Sequence, residues 1–141
     1  MRNIQHKSWE RGTALVEFAI VLPLLVLIFV GIIEFGLLFY NQQVLTNSSR
    51  EGARAGIAHL DENEIKTIVV NYSKDRLITF GTGPNVIPDD VDVVGALGAY
   101  PDNLNVNISY DYTFLFPKLL GLGTSMQLKA KTMMNMENEE E

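Results

Sequence analysis

Residues 13–33 read Thr13-Ala14-Leu15-Val16-Glu17-Phe18-Ala19-Ile20-Val21-Leu22-Pro23-Leu24-Leu25-Val26-Leu27-Ile28-Phe29-Val30-Gly31-Ile32-Ile33. Fifteen of the positions from Leu15 to Ile33 are Leu, Ile, Val or Phe, and no charge falls between Phe18 and Ile33. About 20 such residues, rising ~1.5 Å each, cover the hydrocarbon core of a bilayer, so the stretch reads as a membrane-spanning helix. At roughly −0.3 to −0.6 kcal/mol per central apolar residue, insertion is favoured by about −4 to −9 kcal/mol, which the single carboxylate of Glu17 does not cancel.

The flanks orient the span. Arg2, Lys7 and Arg11 precede it against Glu10, while Tyr40 to Ser49 carries no charge. Excess positive charge holds the N-terminal side in the cytoplasm, which sends residues from about Asn41 onward outside. The apolar run exceeds the ~7–15 residues of a cleavable signal core, and no small-residue cleavage site follows it. This reads as an anchor.

The rest of the composition bounds the function. The 141 residues are 47% hydrophobic and only 20% charged, with no cysteine and a net charge of −6. That much apolar material excludes a disordered chain. Without cysteine there is no disulfide framework and no thiolate metal site. The acidic balance argues against a nucleic-acid surface. No nucleophile elbow, zinc-protease string or phosphate loop occurs, so no catalytic residue, metal or cofactor is expected. Asp89, Asp90 and Asp92 lack the further ligands of a calcium loop and read as a solvated acidic turn.

Beyond the span the periods change. Thr13 to about Ala58 can form one helix of roughly 68 Å, whose second half is polar and rich in small residues. Gly52 and Gly56 weaken its end, so a break near Gly56–His59 is expected, and close packing on a sheet is the better use of these two glycines. Asp61 and Glu64 make a capping box for a second helix over about 62–79, with Ile65, Ile68, Val69 and Tyr72 on one face and Gly81 as its stop. Loop sequence follows, with one short strand near Val91–Val94. From Leu104 to Phe116 apolar and polar residues alternate, ended by Pro117, and Met126 to Met134 alternate as a partner strand. Asp111 is placed to face a lysine across this pair.

The expected architecture is α+β. A long N-terminal transmembrane helix extends into a small head with a second helix and a two- to three-stranded antiparallel sheet. Its parts are a basic leader 1–12, a transmembrane helix 13–40, an exported head 41–136 and an acidic tail 137–141.

The junction of leader and span is the sharpest local signal. Gly12 stands at the boundary, Glu17 follows five residues later, and Phe18 comes next. Glycine leaves the backbone there uncrowded. Glu17, in the same few turns and poorly hydrated, needs a counter-charge. The alternative is an interfacial Glu on an uncut anchor. Glu34 lies at the outer end of the span, either at headgroup level or as a pairing site for a partner helix. Arg50, Glu51 and Arg54 could dock on a partner, although Glu51 and Arg54 at i, i+3 favour a local surface pair.

The strings Arg11-Gly12-Thr13-Ala14-Leu15-Val16-Glu17-Phe18-Ala19-Ile20-Val21-Leu22-Pro23, Ile33-Glu34-Phe35-Gly36 and Ser49-Arg50-Glu51-Gly52-Ala53-Arg54-Ala55-Gly56 together resemble the TadE-like family. A TadF- or TadG-like relative is the alternative, the short length counting against the latter. The resemblance implies a non-enzymatic, minor pilin-like (pseudopilin) component of a bacterial Tad/Flp tight-adherence pilus or type II-like secretion machine. It implies residence in the inner membrane and cutting by prepilin peptidase between Gly12 and Thr13. It also implies pairing of Glu17, beside Phe18, with the N-terminus of a neighbouring subunit. The partners implied are the membrane, prepilin peptidase, other pilin-like subunits and inner-membrane pilus assembly proteins. The competing expectation is an uncleaved, signal-anchored protein with a small extracytoplasmic binding or sensor domain.

Overall fold

The computed structural model describes residues 5–79, 85–98 and 103–135. Helix α1 runs unbroken over Gln5–Ile57, through Pro23, for 53 residues, a length of about 80 Å. It begins before Thr13 because Gly12 is the sole poor helix former between Gln5 and Thr13, at a cost of ~1 kcal/mol that one position does not make decisive. It ends where the two glycines suggest. The N–H groups of Ala58 and His59 turn back to the carbonyls of Ala55 and Gly56 at 3.0 and 3.1 Å. His59 then reverses the chain at φ 63°.

Helix α2, Glu62–Lys74, has the expected capping box. The Glu64 N–H donates to Asp61 Oδ1 at 2.8 Å, and the Asp61 N–H donates to Glu64 Oε2 at 3.1 Å. Its buried stripe is Ile65, Val69 and Ser73. The helix stops five residues short of the expected end, and the chain beyond it is held from outside. The side chain of Asn41 on α1 grips the backbone of Ile78 twice, donating to its carbonyl and accepting from its N–H, both at 2.9 Å. A residue inside a helix has neither group to offer. The proposed stop at Gly81 lies outside the described residues, as does the acidic tail.

A turn of 3₁₀ helix at Pro88–Asp90 leads into β1, Val91–Val94. Strands β2, Asn103–Thr113, and β3, Ser125–Asn135, complete an antiparallel sheet in the order β1-β2-β3. The register sets Val93 against Val106, Ile108 against Ala130 and Tyr110 against Leu128. Leu104, Val106, Ile108, Tyr110, Tyr112 and Phe114 point inward as their alternation requires. Met126, on the same face, remains exposed. Asp111 faces Gln127, not a lysine; Lys129 stands opposite Ser109 and Lys131 opposite Asn107. Asp90 accepts from the Ile87 N–H within the acidic turn, whereas Asp92 lies on β1 and accepts from the side chain of Asn107, its cross-strand partner on β2.

The core lies between the sheet's inner face and the two helices, with Leu38, Leu45, Ala53, Ile65, Val69, Leu104, Val106 and Ile108 among its members. Gly52 and Gly56 make the approach possible. A Cβ at Gly52 would collide with Val69, and one at Gly56 would collide with Leu104 and come within 2.9 Å of Ile65. The expected packing of these glycines on the head is realised against α2 and β2 together. A three-stranded sheet has an independent apolar face to cover, and α1 and α2 cover it.

Candidate functional site

The leader junction sits on the uncovered half of α1. Thr13 and Glu17 are one helical turn apart on one face, and Glu17 and Phe18 are exposed to the surroundings. A Cβ placed on Gly12 meets nothing within 4 Å, so this bond is sterically open on the isolated chain. From Leu15 to Phe29 the large apolar side chains are 38–72% exposed, a density of uncovered hydrocarbon that water does not tolerate and a lipid core does. Of the described residues, one helix is long and apolar enough to cross a membrane, and it is this one.

Glu34 occupies a different kind of place from the one the sequence suggests. It is 1% exposed, and its partners are in its own chain. Its carboxylate accepts from the Tyr112 hydroxyl at 2.9 Å, from the Leu115 N–H at 3.0 and 3.1 Å, and from the Phe116 N–H at 3.1 Å. A carboxylate is an acceptor only, and three converging donors suit its two oxygens. Past the end of β2 at Thr113 the Phe114 N–H still reaches the Thr124 carbonyl, and the two amides after it, of Leu115 and Phe116, turn to Glu34. Burial first, and the Glu34 hydrogen bond second, push the Tyr112 hydroxyl's pKa well above its ordinary value. Burial alone raises that of Tyr110.

Further along α1, polar side chains tie each remaining part of the head to the same helix. Asn41 holds the segment after α2, as described. The Gln42 amide donates to the Lys129 carbonyl at 2.9 Å, Ser48 donates to the Val69 carbonyl at 2.7 Å, and Ser49 shares a 2.7 Å hydrogen bond with Thr132. Arg50, Glu51 and Arg54 are exposed on the side away from the core. Glu51 and Arg54 do not form the expected local pair; the ion pair on the described surface is Lys66 with Glu62 at 2.8 Å. Among the described residues no cluster of His, Asp or Glu is arranged to hold a metal.

The sequence reasoning missed the roles of Asn41, Gln42, Ser48 and Ser49, and weighed Glu34 for lipid and partner surroundings only. A signal was present. Glu34, Leu38, Asn41, Leu45, Ser48, Gly52 and Gly56, all buried, recur at steps of three and four, which is one face of a helix.

A long helix with a bare apolar half, whose other half is the spine of a small α+β head, defines a helix-anchored protein of pilin-like outline. Within that class, the family described as TadE-like protein matches residues 12–54, so the helix from the leader junction to Arg54 carries a TadE-like segment. Neither a curated protein nor a solved structure matches the chain. The match is to a pilus-associated, generally non-enzymatic family. It stops before α2 and the sheet.

Proposed function

We propose that the chain is a minor pilin-like subunit, a pseudopilin, of a bacterial Tad/Flp-type pilus assembly or type II-like secretion machine. It inserts into the inner membrane with residues 1–12 in the cytoplasm and the head outside. Prepilin peptidase cuts between Gly12 and Thr13, and the trimmed chain joins other pilin-like subunits through the exposed apolar half of α1. The observation that carries this reading is the TadE-like match beginning at Gly12 and running along that helix.

The chemistry of the step follows from the residues. The new amine at Thr13 is cationic at neutral pH. In a hydrocarbon setting it needs a carboxylate, and Glu17 of an adjacent subunit supplies one at a fixed axial height. The pair therefore sets register between helices that otherwise present only featureless aliphatic surface. Phe18 packs beside it. Arg50, Glu51 and Arg54, exposed and unpaired with one another, are the head-side surface available to an assembly partner.

The test is made in the host, with the natural assembly present. Gly12→Ala should leave the protein inserted but uncut, and piliation or secretion should fail. Glu17→Ala should be inserted and cut, yet fail to assemble. Normal piliation with Glu17→Ala would refute the pairing role. Normal piliation with an uncut Gly12→Ala chain would point to a tethered binding or sensor domain.

A further inference from the structure

The turn joining β2 to β3 lies against the apolar half of α1, and its outer surface is uncovered. This tip reads Phe114-Leu115-Phe116-Pro117-Lys118-Leu119-Leu120-Gly121-Leu122-Gly123-Thr124 and contains a short helix α3, Pro117–Leu120. Leu120 packs over Gly31, its Cδ2 4.0 Å from where a Cβ would be. Gly31 belongs to the uncharged run that ends at Ile33. If the hydrocarbon boundary falls at Ile33, the tip touches the helix about 3 Å inside it. Phe116, Leu119 and Leu122 nevertheless stay 41–50% exposed and point away from the head.

Six of the tip's backbone donors are taken within the protein. The N–H groups of Leu115 and Phe116 are taken by Glu34. That of Phe114 reaches Thr124, that of Leu120 reaches Phe116, and those of Gly121 and Leu122 reach Pro117. Pro117 has no N–H to satisfy. Backbone groups without such partners are costly at membrane depth. The same contacts remove the one carboxylate at that level from lipid. The charge pattern agrees: no acidic residue falls between Thr113 and Met136, while Lys118 sits at the tip and Lys129 and Lys131 follow on β3. Lysines flanking apolar side chains suit anionic headgroups.

We infer that the β2–β3 tip is a second membrane contact, in which Phe116, Leu119 and Leu122 enter the headgroup–acyl boundary of the outer leaflet and Lys118 reaches the lipid phosphates. The inference rests on the reading that α1 spans the membrane with the head outside. With two points of contact, the span and the tip, the head is fixed in tilt and rotation about α1, and Glu34 is the fastener that holds the tip at membrane height.

Tryptophan quenching tests this on the full chain. Trp9 is the chain's single tryptophan, so Trp9→Phe gives a silent background. Three single-tryptophan variants, Leu25→Trp in the span, Leu119→Trp at the tip and Thr67→Trp on the exposed side of α2, are placed in vesicles of phosphatidylethanolamine and phosphatidylglycerol brominated, in two separate preparations, near the headgroup end of the chains for position 119 and near their methyl end for position 25, with position 67 read in both. Leu119→Trp should lose about half its emission, as for a ring at the interface within ~5–10 Å of the acyl boundary. Leu25→Trp should be quenched and Thr67→Trp should not. Quenching at position 25 with none at 119, whatever the protein-to-lipid ratio, overturns the tip contact alone. Equal quenching at 119 and 67 overturns it too, because the whole head would then lie on the bilayer. Absence of quenching at 25 overturns the span and the tip together.

Discussion

The two halves of α1 share one backbone and meet opposite surroundings. From Leu15 to Phe29 every large apolar side chain is exposed, with no polar tie to the head. From Glu34 to Gly56 the buried face mixes Leu38 and Leu45 with Glu34, Asn41, Ser48, Ser49 and the two glycines. The first half gains its stability from whatever solvates hydrocarbon, and side-chain identity there matters chiefly in bulk. The second half is a spine: Glu34, Asn41, Ser48 and Ser49 on it meet defined partners in the head, and the two glycines admit side chains of α2 and β2. An apolar helix is thus interchangeable along its length until it becomes a scaffold, where single residues hold other elements in place.

The contrast breaks hardest at the glycines. Gly56→Val would drive a side chain into Leu104 and Ile65, and the head should lose about 3 kcal/mol, the upper part of the range for overpacking. Chemical denaturation in detergent, followed by the near-ultraviolet signal of the head's tyrosines, reads this. A cost below about 0.5 kcal/mol would mean that α1 and β2 do not approach so closely.

Glu34→Ala comes next. It leaves the Tyr112 hydroxyl and the Leu115 and Phe116 amides without their acceptor, at about 2 kcal/mol. Amide exchange should speed up at Leu115 and Phe116 and stay slow in the centre of β2. Asn41→Ala, which frees both backbone groups of Ile78, should cost a similar amount, and its exchange change should be confined to the segment after α2.

Alkaline pH gives a gentler handle. Tyr112 and Tyr110 are both raised above their ordinary value of 10.0, so the folded head retains protons that the unfolded chain gives up. Below pH 10 both states are protonated and the contribution to stability is complete. As pH rises past 10 the unfolded chain ionises first, and stability falls. Melts taken from neutral pH to above 10 should show this loss, and Tyr112→Phe should lessen it while costing about 1 kcal/mol at neutral pH. The smallest effect belongs to the other half: Leu25→Ala should leave the head's stability unchanged within about 0.5 kcal/mol.

The apolar half was readable at once because solvation by lipid is a property of composition and length. So were β2 and β3, whose alternation is a local signal, and the capping box of Asp61 and Glu64, which needs only residues three apart. The course of the chain after α2 was not readable, since Ile78 is held by Asn41, 37 positions away. Its course after β2 was not either, since Glu34 lies 81 positions before Leu115. Polar residues on a helix announce a solvated face far more often than a tether, and only the three-four spacing from Glu34 to Gly56 marked them as inward. At the leader junction the residue types of Gly12, Thr13, Glu17 and Phe18 were legible, but their proposed partners are the peptidase and a neighbouring chain.

The most direct measurement is the intact mass of the protein isolated from its host membrane, with and without an active prepilin peptidase. The account requires a mature chain beginning at Thr13 when the peptidase is active and the full-length chain when it is not. Retention of residues 1–12 in peptidase-competent cells would contradict it.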